Sequence, residues 1–352
     1  MRSRGRPEVA QARASLRIGV AGFGRLARDF YLPAFRSLPG ARLVAAADPL
    51  PQSRAAAADR LPAAAVYPDH RTLLDNAGLD GLLVASPPST HLEIWRDASA
   101  RGVAVFMEKP FVLLGQLGEV EQPQPDARLM LDFNRRFWPP YRRVAELVRA
   151  GELGRPVEVE FVLSTDVLSW STVTRHRLSP EEGGILHDLG GHAIDLAADL
   201  VGEEPESVTA AASCREWEGD SLRLDLSFED GSAFRSLLKY SESTCERLSI
   251  RGPQGKLTLR NPNMAIHLER NGARGPRIAA RCRDAAVFAY RGLRRGQTMT
   301  RFTIRQALAS FVHALAAGEP FSPGFVEAVE NVRWLEAAAR SLADGKPAAR
   351  PA

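Results

Sequence analysis

Two glycines and an alanine in a fixed spacing, Gly22, Gly24 and Ala27, stand between an apolar run and a helical one. The preceding run, residues 16–21, reads LRIGVA and predicts a buried strand. The first glycine permits a tight turn, the second lets the backbone approach a ligand, and the alanine lets the helix pack on the strand. Because a helix start offers free N–H groups, the segment predicts a site for the pyrophosphate of a dinucleotide. The loop residues predicted to contact this cofactor are Gly22, Phe23, Gly24, Arg25 and Leu26.

An acidic residue, Asp48, closes the second apolar run, residues 42–47. A carboxylate at the end of the second strand accepts the ribose hydroxyls of an adenosine and repels a 2′-phosphate. The sequence therefore favours NAD as the cofactor. Arg54 could offset that repulsion, which keeps NADP open as the alternative, although a solvated helix residue is the simpler interpretation of this arginine.

Further apolar runs, residues 79–85 and 103–107, alternate with helical segments in units of about thirty residues. This alternation predicts an α/β domain of the Rossmann type, with a parallel, doubly wound sheet. From about residue 134, strands that alternate apolar and polar residues predict a C-terminal α+β domain with a large, mostly antiparallel, open-faced sheet. The predicted segments are a disordered basic tail over 1–15, a nucleotide-binding domain over 16–133, an α+β domain over 134–345 and a tail over 346–352.

The composition excludes several classes of protein. The chain has 352 residues and a formal charge of +4, but residues 1–17 carry +4 and residues 271–305 carry +8, so the remaining 300 sum to −8. Because this charge is local and is not interleaved with aromatic residues in the way that a base-stacking surface would be, no nucleic-acid partner is expected. No apolar run has membrane-spanning length, and the N-terminus lacks the apolar core of a secretory signal. Three widely spaced cysteines predict neither disulfides nor a metal site, and favour a cytoplasmic location.

The segment 271–305 holds nine arginines. Four of them, Arg274, Arg277, Arg281 and Arg283, could recognise a phosphate or the diphosphate of a nucleotide sugar. A solvated or intersubunit loop is the favoured interpretation of the same run.

One of only four lysines, Lys109, follows the run over 103–107 in a chain with 42 arginines. Ligands bind at the carboxyl ends of strands in open α/β sheets, and an ammonium there can stabilise a developing alkoxide. Further on, Asp188 and His192 are spaced i, i+4 and share a helix face, with Asp195 three residues beyond. A carboxylate raises the basicity of an imidazole beside it, which suits His192 as the base that takes a proton from an alcohol.

Five sequence elements in this order resemble the Gfo/Idh/MocA family, which includes glucose–fructose oxidoreductase and inositol dehydrogenase. They are the glycine motif, Ser86-Pro-Pro-Ser-Thr-His91, Glu108-Lys109-Pro110, Asn134-Arg-Arg-Phe137 and the run from Gly183 to Asp195. The resemblance covers about residues 16–345. It implies a Rossmann domain followed by a substrate-binding domain whose open sheet often forms the subunit interface.

The resemblance implies an NAD(P)-dependent oxidoreductase that moves hydride to or from a carbinol carbon. The implied substrate is a sugar, cyclitol, sugar phosphate or nucleotide sugar, and the implied assembly is a homodimer or homotetramer. The implied catalytic group is Lys109, Asp188 and His192, which with Arg136 would bind the substrate. Beyond the phosphate loop and Asp48, the implied cofactor contacts are Ser86, Pro87, His91, Glu108, Lys109 and Arg136. For His91 and Arg136, a helix-cap residue and a solvated arginine are the competing interpretations.

Three positions depart from the family pattern. Glu182 takes the first place of a usual glycine triplet, and Asp132 stands where glycine is common. His187 replaces an apolar residue and is interpreted as structural, because an ideal α-helix turns it away from Asp188. Two competing functions remain: an NAD-dependent glycosidase or lyase that oxidises its substrate transiently, and a sensor of NAD(P) or sugar without catalysis. An intact set of Lys109, Asp188 and His192 argues against the sensor.

Overall fold

The computed structural model describes residues 15–120, 127–167, 184–213, 220–260, 266–270 and 299–350. Most of the predicted basic tail and the four arginines proposed for phosphate recognition lie outside these residues. Within the described ranges, no helix is long and apolar enough to cross a membrane.

Short apolar runs in the first third of the chain form a parallel sheet of six strands. They are β1 (Leu16–Ala21), β2 (Ala41–Ala47), β3 (Ala65–Tyr67), β4 (Gly81–Val84), β5 (Ala104–Met107) and β6 (Leu129–Leu131). The order across the sheet is β3-β2-β1-β4-β5-β6, and every neighbouring pair is parallel. The order reverses between β1 and β4, where doubly wound sheets open a crevice at the carboxyl ends of their strands. This arrangement confirms the predicted Rossmann-type sheet.

Helices cover both faces of this sheet, as strands made of continuous apolar residues require. After β1 the chain forms a π-helical turn, Ala27–Tyr31, which runs directly into α1, Leu32–Phe35. The next helices are α2 (Pro51–Arg60), α3 (His70–Asn76) and α4 (His91–Ser99). All residues of β4 and β5 are buried, so the central strands present no polar face to water.

The second half of the chain forms a sheet of eight strands. They are β7 (Glu158–Thr165), β8 (Ser207–Ser213), β9 (Ser221–Ser227), β10 (Ala233–Tyr240), β11 (Cys245–Gly252), β12 (Gly255–Arg260), β13 (Ile266–Arg270) and β14 (Ala348–Ala349). Their order is β13-β12-β11-β7-β10-β9-β8-β14. The neighbouring pairs are antiparallel except β7 and β10, which run parallel, so the predicted mostly antiparallel sheet is confirmed. Because β14 pairs with β8, the sheet extends into the predicted C-terminal tail.

In the part of the chain that the structure describes, one face of the second sheet is covered and the other is not. In β10, Phe234, Leu238 and Tyr240 are buried, whereas Arg235 between them is exposed. The helices of this half are α5 (Pro139–Arg149), α6 (Gly191–Val201) and α8 (Phe325–Asp344), and their apolar residues join the core of the buried face. A π-helical turn, Leu186–Gly190, precedes α6.

The helix α7, Met299–Ala317, packs on the first sheet although it follows the second one in the chain. The ring of Phe311 in α7 meets that of Phe106 in β5, with 5.6 Å between their centroids. On the opposite face of the first sheet, Phe325 and Val329 of α8 join the core. The predicted division at residue 133 therefore separates the two sheets, but not the helices that cover them.

Candidate active site

A cleft of about 690 Å³ opens at the carboxyl ends of β1, β2, β4 and β5 and reaches the π-helical turn before α6. Both halves of the chain line it. The predicted site residues that border this cleft are Gly22, Gly24, Arg25, Leu26, Asp48, Ser86, Pro87, Glu108, Lys109 and Asp188. Among the described residues, the structure does not bring four predicted ones to its lining, namely Phe23, His91, Arg136 and His192.

The two glycines of the phosphate loop are required for different reasons. Gly22 has a φ of 86°, and a Cβ there would lie 2.6 Å from the backbone nitrogen of Ser86. A side chain at this position is therefore excluded by the protein itself. At Gly24 a Cβ would meet no protein atom within 4 Å and would stand at the cleft, where it would keep a ligand from the backbone. The space at Gly24 fits a phosphate that approaches the helix start.

Asp48 is fixed by the backbone on both sides. One carboxylate oxygen accepts the N–H of Phe23 at 2.8 Å, and the other accepts that of Leu50 at 2.9 Å. Phe23 thus serves this site through its backbone, while its side chain is buried. The guanidinium of Arg54 donates to the carbonyls of Asp48 and Pro49, at 2.9 and 2.8 Å. These contacts hold Arg54 at the end of β2 and leave the carboxylate as the acidic group at the cleft.

His91 connects two loops of the cleft from behind. The imidazole is fully buried, with Nδ1 at 2.7 Å from the carbonyl oxygen of Pro110 and Nε2 at 3.1 Å from that of Ser86. It thereby ties the loop after β4 to the loop that carries Lys109. His91 therefore supports the two loops that carry predicted cofactor residues.

Lys109 and Asp188 meet across the two halves of the molecule. The Nζ atom of Lys109 lies 2.8 Å from Oδ1 of Asp188 and also 2.8 Å from its carbonyl oxygen. The hydroxyl of Tyr240, the last residue of β10, donates to Oδ2 of Asp188 at 3.1 Å. The lysine and aspartate side chains are only 11% and 8% exposed, so the pair is largely shielded from water. The structure thus brings together Lys109 and Asp188, two members of the predicted catalytic group, and adds Tyr240 as a partner that sequence patterns missed.

The π-helical turn changes which side chains face the cleft. Asp188 lies within this turn, and His187 borders the cleft beside it. A π-helix closes i→i+5 hydrogen bonds, so it has more residues per turn than an α-helix and successive side chains lie closer together around its axis. An ideal α-helix would turn His187 away from Asp188, whereas the structure brings both residues to the cleft. His192 lies further along, half-buried near the start of α6.

Arg136 is engaged elsewhere. Its guanidinium lies 2.6 to 3.1 Å from the carboxylate of Asp195, and it borders a separate, smaller cavity. Burial raises the pKa of Asp195 to about 6, and the charge of Arg136 acts in the opposite direction. Arg136 thus connects the 3-10 turn after β6 to helix α6, and it lies away from the cleft.

The chain matches two domains of one family. Residues 16–126 match the oxidoreductase family with an NAD-binding Rossmann fold, and residues 141–258 match the GFO/IDH/MocA C-terminal domain. The two matches together span well over half of the chain. This protein therefore belongs to the Gfo/Idh/MocA family of oxidoreductases.

Individual relatives agree with this assignment. Inositol 2-dehydrogenase of Rhizobium meliloti is 28% identical over 94% of this chain and 98% of its own. The scyllo-inositol 2-dehydrogenase (NAD(+)) of Bacillus subtilis is 28% identical over 55% of this chain and 56% of its own. The crystal structure of an oxidoreductase from Agrobacterium radiobacter with NAD+, L-tartaric acid and magnesium is 19% identical. It matches the fold with a TM-score of 0.78, over 96% of this chain and 98% of that one.

The predicted family, fold class, enzyme class and cofactor are thereby confirmed: this protein is an NAD-dependent oxidoreductase. The residues of the cleft fit that cofactor, because Gly24 leaves open space at the helix start and Asp48 presents a fixed carboxylate at the end of β2.

Proposed function

We propose that this protein oxidises a carbinol of a cyclitol, or of a closely related sugar, with NAD as the cofactor. The observation that carries the proposal is the ion pair of Lys109 and Asp188, which lies in the same cleft as the phosphate loop and Asp48. The names of the two inositol dehydrogenases described above support a cyclitol as the substrate.

Lys109 is the group that we assign to the reacting oxygen. Bound NAD supplies the hydride acceptor at its nicotinamide ring. Two of the three ammonium hydrogens of Lys109 are directed at Asp188, so one remains for a ligand. As the alcohol is oxidised, this hydrogen stabilises the negative charge that develops on the substrate oxygen. Asp188 holds the ammonium in place, and Tyr240 holds the second oxygen of that carboxylate.

Although it does not line the cleft described above, His192 is the proposed base that takes the hydroxyl proton, as the family resemblance implies. We assign His187, which borders the cleft beside Asp188, to contact with substrate hydroxyls. The proposed cofactor contacts are the phosphate loop, Asp48, Ser86, Pro87 and Glu108, all at the cleft. Because the acidic Asp48 repels a 2′-phosphate, NAD is preferred over NADP.

We further propose a cytoplasmic homodimer or homotetramer that forms through the uncovered face of the eight-stranded sheet. Exposed side chains there alternate with buried ones, as Glu158, Glu160 and Arg235 show. Light scattering after gel filtration measures the mass, and charge reversal of Arg235 is expected to shift it towards the monomer.

A substrate panel tests the proposed activity. Purified protein is incubated with NAD or NADP and with inositol isomers, neutral sugars, sugar phosphates or nucleotide sugars, and the absorbance of reduced nicotinamide is followed. We expect stoichiometric NADH with at least one inositol isomer or related neutral sugar, and weaker activity with NADP. Product formation without net NADH would indicate the glycosidase or lyase chemistry instead. No reaction with any polyol, in either direction, would contradict the proposal.

A further inference from the structure

Three acidic groups meet in the core behind the cofactor cleft. The hydroxyl oxygen of Tyr31 lies 2.5 Å from Oε1 of Glu108 and also 2.5 Å from Oδ2 of Asp132. Tyr31 comes from the π-helical turn after β1, Glu108 follows β5, and Asp132 follows β6. Glu108 borders the cleft beside Lys109, whereas Tyr31 and Asp132 are buried, at 1% and 0% exposed.

Counting protons shows that this cluster holds more than the phenol hydrogen. Two contacts of this length between oxygens need one hydrogen each. The phenol supplies only one, and a charged carboxylate is an acceptor without any. The second hydrogen must therefore belong to a carboxyl group. With Asp132 protonated, Asp132 donates to the oxygen of Tyr31, Tyr31 donates to Glu108, and the cluster carries one negative charge instead of two.

The surroundings favour Asp132 as the protonated member. Burial and the charge of Glu108 raise the pKa of Asp132 well above its ordinary value, and they outweigh the hydrogen bonds with Tyr31 and Asn134 and the ammonium of Lys109, which lower it. Burial and the two carboxyl groups also raise the pKa of Tyr31, so the phenol keeps its hydrogen. The ring of Tyr31 packs edge-on against Phe106 at 6.0 Å, which adds an apolar wall.

We propose that Asp132 and Tyr31 are positioning residues for Glu108: a proton retained on Asp132 completes a hydrogen-bonded chain that holds Glu108 at the cofactor cleft. The proposal rests on the proposed function in one respect, that Glu108 contacts the bound cofactor. Loss of the proton at alkaline pH leaves two carboxylates beside one phenol hydroxyl. Because that hydroxyl has a single hydrogen, one of the two hydrogen bonds is broken. Glu108 is then less firmly held, and cofactor affinity falls.

Infrared spectroscopy of the protein without cofactor tests the retained proton. At about pH 7, the wild-type protein is expected to show the carbonyl band of a buried protonated carboxyl group, which Asp132→Asn lacks. The band should disappear as the pH rises. If the wild-type and variant spectra agree in this region, Asp132 is ionised and the proposal is overturned, whatever the enzyme's activity.

Cofactor binding tests the positioning role, with Asp132→Asn as the matched variant. The asparagine amide can donate to Tyr31 as the protonated carboxyl does, but it does not titrate. We expect its dissociation constant for NADH, measured by fluorescence, to stay within about threefold of wild type at about pH 7. Between about pH 7 and pH 10 the wild-type constant should rise more steeply than the variant's. Because every other ionisable group is common to both proteins, the difference between the two pH profiles reports Asp132.

Tyr31→Phe and Asp132→Leu interrupt the chain of hydrogen bonds. Each is expected to weaken NADH binding about tenfold at about pH 7, and circular dichroism checks that both remain folded. Equal losses in Asp132→Asn and Asp132→Leu, or parallel pH profiles of wild type and Asp132→Asn, would overturn the positioning role while leaving the dehydrogenase assignment intact. A wild-type protein that binds no NADH would overturn the proposed function itself, and the positioning role with it.

Discussion

Lys109 with Asp188 and Arg136 with Asp195 are two buried ion pairs of similar composition, and of these two only the first borders the cleft. Lys109 and Arg136 both follow strands of the first sheet, and their partners, Asp188 and Asp195, lie seven residues apart in one helical segment. Arg136 meets its partner through more than one nitrogen, and it borders a different cavity. Lys109 meets both a carboxylate and a carbonyl and still has a hydrogen to offer. The comparison shows that similar charge pairs can lie at the cleft or away from it, depending on which elements pack beside them.

The largest expected effect comes from removing the cation at the cleft. Lys109→Met should lower kcat by about a thousandfold, because the developing alkoxide loses its stabilising charge. Steady-state kinetics with the substrate found in the panel measures this. Arg136→Lys is the matched control, and its kcat should change by less than about threefold. Similar losses of kcat in Lys109→Met and Arg136→Lys would show that the two ion pairs do not differ in their contribution to the rate.

A smaller loss of kcat is expected when the acid of the pair at the cleft is neutralised. Asp188→Asn keeps the shape of the side chain but removes the charge that holds Lys109, so kcat should fall by about a hundredfold. Tyr240→Phe removes one hydrogen bond to the same carboxylate and should cost about 1 kcal/mol in kcat/KM. If Tyr240→Phe slows the reaction as much as Asp188→Asn does, the hydroxyl of Tyr240 does more than orient the carboxylate of Asp188.

The second pair should matter for stability more than for rate. Arg136→Met leaves Asp195 buried without its cation and should lower the free energy of unfolding by about 3 kcal/mol. Urea unfolding measures this change. The kcat of the folded variant should remain close to that of wild type, and a large drop in kcat with unchanged stability would contradict the structural role.

The pH dependence of stability gives the smallest effect. The folded protein raises the pKa of Asp195 from 3.8 to about 6, so between these values the folded state binds more protons than the unfolded one. Its contribution to stability is therefore present at low pH and is lost as the pH rises through about 6. From about pH 5 to pH 7, wild type should lose on the order of 1 kcal/mol more than Asp195→Asn. If the free energies of unfolding of wild type and Asp195→Asn change in parallel with pH, Asp195 does not titrate between about pH 5 and pH 7.

Local patterns predicted the elements that depend on neighbours in the chain. The apolar run over residues 16–21 coincides with β1, and the glycine motif lies at the turn that follows it. The three-residue strands β3 and β6 were missed, because so short a run carries no periodic signal. No local sequence pattern predicts the parallel pairing of β7 with β10 either, since these strands are distant in the chain.

The sequence by itself determined the strand–turn–helix unit at the phosphate loop and the acid that ends β2. It also determined which functional groups are present at Lys109, Asp188 and His192. These features depend only on residue type and on short spacings in the chain. Only the tertiary structure decided which charges meet. Lys109 and Asp188 are 79 positions apart, and Tyr31 and Asp132 are 101 apart. Contacts over such distances arise from the packing of buried surfaces, which also separates the ion pair at the cleft from that of Arg136 and Asp195.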